Sequence, residues 1–527
     1  MIKIARLILI LSVCFIVAPV MAQTSKTNER VININFSKEN GPLNTMFNEC
    51  VGAGRANEGL RADWQEQLAY VKKECGFRYI RFHGLLTDDM GVYKEDSNGN
   101  AQYNYMYVDA LFDYLLSIDM IPFVELGFMP NALASGEETI FWWKGNVTPP
   151  KDYNKWGALV QNLVQHFTDR YGEDEVEKWY FEVWNEPNLS PGFWTGTMDD
   201  YFKLYEYSAR AVKKVNADYP VGGPGTAGAA WETEMIDFCV KNKVPLDFIS
   251  THSYGVNQGY LDEHGNSGTV LAPQEFAVSG DVLQSRKEIA ASSMPDLELH
   301  YTEWSASYTP SDPIHDSYHE ASYVLQKLKQ VGDAVQSMSY WVFTDIFEES
   351  APRFTPFHGG FGMLNTQGIN KPVFYAYQFL NKLGNIELVN NDKMSWATKD
   401  SKGNIQVLAY DFTHTHPGDS VNNQVYYIRD LPSKSKGKLK IAIADVPEGN
   451  YALEIYKVGY RCNDVYTNYY DLGRPNQLSK IQVEKLKKIN DGSPLIADIV
   501  KVGKKKVFIR ELDIRENDVY LLSLVRL

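Results

Sequence analysis

Two short stretches place an acid among residues suited to carbohydrate chemistry: Trp184-Asn185-Glu186-Pro187-Asn188-Leu189 and Thr302-Glu303-Trp304. Cleaving a glycosidic bond needs one carboxyl to protonate the leaving oxygen and a second carboxylate to attack the sugar or activate water. If the two groups stand about 5–5.5 Å apart, the second is a nucleophile and configuration is retained. Glu303 is then expected to be the ionised nucleophile. Its charge is expected to raise the pKa of Glu186, which stays protonated as the acid and later acts as the base. Asn185, next to the acid, is placed to hydrogen-bond the sugar 2-hydroxyl, a contact that strengthens in the transition state.

Acids so far apart in the chain must be brought together by a fold. Short apolar runs recur at Cys50–Ala53, Arg78–His83, Ile121–Phe128, Trp179–Trp184, Val221–Gly223, Phe248–Tyr254, Leu297–Trp304 and Ser337–Thr344, with helix-period segments between them. Continuous apolar runs are the mark of parallel strands buried on both faces. Eight strand–helix pairs predict an α/β fold, a (β/α)₈ TIM barrel whose strand C-termini carry the functional groups. Those ends hold Arg81 and His83, Glu186, His252 and Tyr254, Glu303, and Trp341. Because side chains alternate along a strand, Arg81 with His83, His252 with Tyr254, Tyr301 with Glu303, and Glu182, Trp184 and Glu186 are each expected to face inward as sets. The inward acids Glu125 and Glu182 are expected to pair with Arg81 or Arg78, since buried carboxylates need partners. Trp341 is expected to lie under the sugar, and Trp142 and Trp143 to wall the pocket or anchor their loop.

The rest of the chain reads differently. Beyond about residue 385 short alternating strands replace helices: 404–410, 424–429, 438–444, 451–458, 506–514 and 519–526. These predict an antiparallel β-sandwich over 385–527, joined by a strand within 23–40 (Val31–Phe36) and following a catalytic barrel over 41–384. Residues 1–22 read as a signal peptide, with basic Lys3 and Arg6, an apolar run from Leu7 to Val20 and a small residue at Ala22. The protein is therefore expected to be exported, periplasmic or secreted, with no membrane insertion. Its 52 basic and 66 acidic residues give a net charge of −14, which argues against nucleic-acid partners. Cys50, Cys75, Cys239 and Cys462 have no metal or disulfide spacing and read as buried thiols.

The two acid-bearing stretches, together with Tyr79–Leu86 (YIRFHGLL), Phe141–Pro150 (FWWKGNVTPP), Val221–Gly225 (VGGPG), Ser339–Glu349 (SYWVFTDIFEE) and Pro356–Gly362 (PFHGGFG), resemble glycoside hydrolase family 39, especially its β-xylosidase branch. The resemblance is dense from about Asn48 to Leu383 and weaker beyond. It implies a retaining exo-glycosidase that releases a terminal neutral pentose, β-D-xylose first, from oligosaccharides. Glu186 would be the acid/base and Glu303 the nucleophile. His83, Asn185, His252, Tyr254, Trp341, Glu348 and Glu349 match the residues that line the sugar subsite in that family. The chain has His252-Ser253-Tyr254 where those β-xylosidases usually have His-Ala-Tyr; by alternation Ser253 points away from the site. The family also holds α-L-iduronidases and enzymes acting on arabinose- and galactose-containing substrates. Arg353 is a candidate clamp for a uronate, but Glu348 and Glu349 beside it favour a neutral sugar.

No metal or other cofactor is expected. His315 with His319 and His414 with His416 have spacings that invite a metal, yet no third ligand accompanies either pair. No G-x-S-x-G elbow supports serine chemistry. A non-catalytic glycan-binding protein on the same fold would have lost one of the two carboxylates, and both are present. The sandwich also offers a surface on which copies of the chain could form a homo-oligomer.

Overall fold

The computed structural model describes residues 29–261, 267–418 and 421–527; the expected signal peptide lies outside them. Eight parallel strands close into a barrel: β1 (Cys50–Arg55), β2 (Tyr79–His83), β3 (Ile121–Leu126), β4 (Tyr180–Val183), β5 (Val221–Thr226), β6 (Phe248–Tyr254), β7 (Glu298–Ser305) and β8 (Ser337–Tyr340). Each corresponds to one of the apolar runs. Helices cover the outside because their sequences present one apolar stripe. The helix Tyr153–Tyr171 buries Trp156, Leu159, Val160, Leu163, Val164 and Phe167, and it starts where Asp152 accepts from the amides of Asn154 and Lys155.

Inside the barrel the strands stack layers of different chemistry. The floor is apolar, with Cys50, Phe123 and Phe248 packed against Tyr79 and Tyr180. One step higher lie Arg81, Glu125 and Glu182, and above them the strand ends open to a cavity. Above this floor Arg81, Glu125 and Glu182 are cut off from bulk solvent, which strengthens the ionic contacts among them.

Alternation fails in two places, and both bear on the site. In β7, register is lost between Tyr301 and Trp304 against β8, and Thr302 is passed over in the pairing with β6, where Thr251 faces Tyr301 and His252 faces Glu303. The extra residue re-aims the strand, as bulges do beside active sites. Thr302 and Glu303 both reach inward, while Tyr301 points out to bond the Ser285 hydroxyl on the helix Ser279–Ala291. Tyr301 therefore does not share a face with Glu303. The second failure is at β4, which ends at Val183. Trp184 lies outside the wall, donating its indole N–H to the Phe193 carbonyl and packing on Trp156 and Trp194, so only Glu182 and Glu186 of that set face in. Ser253 points outward, to Asp281 on the same covering helix.

A nine-stranded sheet forms the rest of the chain. In spatial order its strands are Ile496–Val502, Gly449–Val458, Val519–Arg526, Ile405–Tyr410, Ser395–Lys399, Ile386–Asn390, Glu29–Pro42, Ser435–Ala444 and Phe508–Arg515. All pairings are antiparallel except that of Glu29–Pro42 with Ser435–Ala444. Strands from opposite ends of the sheet share one apolar core, including Tyr451, Leu453, Phe508 and Leu512, so the sheet bends around its own inner face. The run at 424–429 is not a strand: Gln424–Tyr427 is a 3₁₀ turn. The helices Val465–Asp471 and Lys480–Ile489 interrupt a stretch that reads as β-rich. The sheet's other face is fused to the barrel, since Trp396, Leu408, Tyr410, Val458, Val519 and Leu521 belong to the same buried cluster as the barrel helices.

A buried ionic clasp holds the chain after β8. Lys371 Nζ lies 2.7 Å from both Asp316 and Asp345, with all three side chains out of solvent, and also donates to the Gly360 carbonyl. Removing one member of a buried cluster leaves uncompensated charge. Lys371→Met is therefore expected to destabilise the protein by about 3–5 kcal/mol, read as a lowered thermal midpoint; an unchanged midpoint would contradict a clasp of this kind.

Candidate active site

The C-terminal mouth of the barrel encloses a cavity of about 520 Å³ lined by His83, Asn185, Glu186, Leu189, Phe193, Ala227, Gly228, Tyr254, Val256, Glu303, Tyr308, Trp341, Glu349 and Phe361. Seven of the nine residues singled out from the sequence line it. An eighth, His252, is fully buried directly behind Glu186. The ninth, Glu348, is placed elsewhere. Its backbone amide bonds Glu58, and its carboxylate turns away to Arg55 at 2.9 Å and Arg61 at 3.3 Å.

Glu186 sits in a backbone conformation that few side chains adopt. Its φ is +46° and that of Trp184 is +70°, both in the left-handed region. The turn is held by the Glu186 amide donating to the Gly225 carbonyl at 2.8 Å. Gly225 can approach because it has no side chain: a Cβ there would stand 3.2 Å from the Trp184 carbonyl and 3.3 Å from Glu182. The strained turn swings Glu186 off the line of β4 and into the cavity.

Glu303 is held on both oxygens. Arg81 donates to Oε1 at 2.5 Å and the Tyr254 hydroxyl to Oε2 at 2.8 Å. Arg81, wholly buried, also contacts Glu182 at 2.8 Å and Glu125 at 2.9 Å, and donates to Asn185 Oδ1 at 2.8 Å. Burial opposes its charge, but Glu182, Glu125 and Glu303 together outweigh that and keep it firmly protonated. With its oxygen taken by Arg81, Asn185 has its amide N–H groups left for a ligand. His83 spends Nδ1 on Glu125 at 2.7 Å, and its Nε2 lies 3.4 Å from Glu303 and 3.8 Å from Glu349.

One carboxylate oxygen of Glu186, one of Glu303 and a ring nitrogen of His252 all lie within 4.8 Å of one another. An approach this close suits retention. Such a cluster is also dense in ligand atoms, but the Arg81 guanidinium already brings positive charge to Glu303. Burial raises the carboxyl of Glu186 to about 7; His83 and Arg81 nearby oppose this, and Glu125 adds to it. Desolvation is thus the main cause, in place of the Glu303 charge expected from the sequence. Glu349 is raised well above the ordinary carboxyl range, first by burial and then by Glu303.

The apolar wall is built on close approaches. The Trp341 ring lies 4.8 Å from the His83 ring and under the Arg81 guanidinium. It fits because residue 52 in β1 is glycine: a Cβ there would meet Trp341 Cε3 at 2.4 Å. Trp142 is more than half exposed and does not line the cavity. Trp143 anchors its loop under the Arg55 guanidinium and against Phe141, and Phe141 in turn stacks on His83. Of the histidines with metal-like spacing, His315 bonds the Gly359 carbonyl and His319 the Ser317 hydroxyl.

Sequence reading missed several parts of this site. Leu189, Phe193, Ala227, Gly228 and Tyr308 form the outer wall from loops with no periodic signal, and Val256 adds to it from the start of the short strand Val256–Leu261. Thr302 escaped notice because alternation puts it on the opposite face from Glu303, and only the bulge brings both inside.

Comparison with known proteins agrees with this geometry. Residues 30–499 match the family model for glycosyl hydrolases family 39. A β-xylosidase from Geobacillus stearothermophilus is 40% identical over 470 residues, covering 87% of this chain and 88% of its own. A β-xylosidase from Caldicellulosiruptor saccharolyticus is 46% identical over 365 residues, 69% of this chain and 74% of its own. The crystal structure of a monomeric β-xylosidase from Caulobacter crescentus superposes with a TM-score of 0.91 at 41% identity, covering 94% of this chain and all of that one. With a family match spanning most of its length and a carboxylate pair at retaining distance in the barrel mouth, the chain belongs to glycosyl hydrolases family 39.

Proposed function

We propose that the protein is a retaining exo-β-xylosidase that releases terminal xylose from xylo-oligosaccharides. The observation that carries this reading is the approach of Glu186 and Glu303 within 4.8 Å in one cavity. Glu303, held by Arg81, attacks the anomeric carbon while Glu186 gives its proton to the departing oxygen. Attack removes negative charge from Glu303. In the second step Glu186, now a carboxylate, takes a proton from water as that water displaces Glu303. Arg81 and the Tyr254 hydroxyl then receive the returning charge.

A neutral sugar suits the lining. Among the described residues no Lys or Arg lines the cavity, and Arg353 instead donates to the Pro310 carbonyl. Glu349 occupies the wall where a uronate would need a cation. A protonated Glu349 can donate to a sugar hydroxyl, and Asn185 offers its amide to the 2-hydroxyl. The leader-like residues 1–22 support action outside the cytoplasm. No helix among the described residues is long and apolar enough to cross a membrane.

Four outcomes follow for the enzyme. Glu303→Ala should lower kcat by about 10⁴-fold or more, with azide restoring turnover and yielding a glycosyl azide of inverted configuration. Glu186→Ala should cost about 10²–10⁴-fold on xylosides with poor leaving groups and far less on activated aryl xylosides; equal losses on both would remove Glu186 from the acid role. In the wild type, kcat/KM should fall as pH rises through about 7, where Glu186 loses its proton. On a panel of aryl glycosides the β-xyloside should be turned over fastest; preference for an α-L-iduronide would overturn the choice of sugar.

A further inference from the structure

Behind the cavity wall, a chain of side chains links the acid to the charged layer beneath. Glu186 Oε1 lies 2.8 Å from His252 Nδ1, His252 Nε2 lies 3.1 Å from Thr302 Oγ1, and Thr302 Oγ1 lies 2.7 Å from Glu182 Oε1. His252, Thr302 and Glu182 are all fully buried, so water does not share these contacts. Thr302 has one proton and two partners. Glu182 is bound to Arg81 at 2.8 Å. Burial works against its charge, but Arg81 and its hydrogen-bond donors outweigh that and hold its carboxyl below the ordinary value. An ionised Glu182 only accepts, so the Thr302 hydroxyl must donate to it.

One arrangement of protons satisfies the remaining contacts. With its proton spent on Glu182, Thr302 can only accept from His252, so Nε2 carries hydrogen. In a neutral ring Nδ1 is then bare, and its 2.8 Å contact with Glu186 requires a proton on the Glu186 carboxyl. We propose that the Thr302 hydroxyl, oriented by Glu182, locks His252 in the Nε2–H tautomer, so that its bare Nδ1 holds Glu186 protonated between turnovers. Thr302 is thus a positioning residue. This rests on the reading of Glu186 as the acid/base.

The ring is neutral at working pH: burial drives His252 down to about 4, against the pull of Glu303. Other groups also face this pair. Arg81 and His83 from β2 favour the ionised form of Glu186, and Glu125 from β3 opposes it. From β7, Glu303 lies 3.6 Å from His252 Nδ1, and from β6 the Tyr254 hydroxyl is committed to that same Glu303. Glu349, after β8, also faces the pair, its own carboxyl raised by burial and by Glu303. None of these sets the tautomer, because none bonds Nε2. Once Glu186 has given its proton to the leaving group, its carboxylate faces a lone pair on Nδ1. The fixed tautomer then makes Glu186 a stronger base for the incoming water.

The lock can be read without turnover. In the full-length protein with ¹⁵N-labelled histidine, the His252 signals are identified by their loss in His252→Gln. They should show a protonated Nε2 and a bare Nδ1 near pH 6; a protonated Nδ1, alone or in an imidazolium, would overturn the proposal. Thr302→Val removes the acceptor for Nε2–H, so His252 can turn its proton toward Glu186. Donation to the carboxylate lowers its pKa, and the alkaline limb of kcat/KM should move to lower pH by about one unit. Thr302→Ser should restore the wild-type limb. An alkaline limb unmoved in Thr302→Val, with wild-type thermal midpoint, would count against the lock, and the wild-type spectrum decides alone if that variant does not fold. If the protein hydrolysed no glycoside, the spectrum would still show whether the tautomer is fixed.

Discussion

The site is organised by Arg81. One guanidinium, with no access to solvent, meets carboxylates from three other strands, Glu125 on β3, Glu182 on β4 and Glu303 on β7, and also donates to the side-chain oxygen of Asn185. A cation buried in this way costs several kcal/mol in lost hydration and is retained only if geometry and charge repay it. Here the planar fork of the side chain aims separate N–H groups at acceptors on different sides of the barrel, a spread that the compact ammonium of a lysine does not reproduce. The contacts also fix where the reacting groups stand. Asn185 precedes Glu186 in the chain, so by gripping Asn185 and Glu303 the same guanidinium sets the distance between the two acids.

Direct contact with Arg81 divides the acids of the site into two groups. One buried cation cannot offset Glu125, Glu182, Glu303, Glu186 and Glu349 together. The groups that touch Arg81 directly keep its compensation. Glu186 and Glu349 have no such contact, and burial pushes the first to about 7 and the second further. In the mechanism proposed above, burial without a direct cation contact suits Glu186 to give a proton, and the Arg81 contact suits Glu303 to attack, an arrangement in which environment separates two identical side chains.

The barrel was legible because its strands are continuous apolar runs, a pattern that half-exposed strands and surface helices do not produce. Glu186 and Glu303 were legible as candidate acids because each stands at or just past the end of such a run, in a stretch that resembles the family. Alternation placed Arg81, His83, His252 and Tyr254 correctly, since β2 and β6 are regular where those side chains leave them. It failed at Tyr301, where a bulge inserts one residue, and at Trp184, where the chain has already left the strand; period-two reasoning contains neither event. Glu348 shows another limit. Two adjacent acids after β8 cannot both face one cavity, and which one does depends on Glu58, Arg55 and Arg61, all distant in sequence. The helices Val465–Asp471 and Lys480–Ile489 were hidden because short amphipathic stretches among strands give little periodic signal.

The central claim is that both acids serve a single anomeric carbon from opposite sides, one as nucleophile. The most direct test is the anomeric configuration of the sugar first released from an aryl β-xyloside, followed by ¹H NMR before mutarotation. Double displacement gives the β-anomer first. Initial appearance of the α-anomer would mean direct attack by water, and would contradict the role assigned here to Glu303.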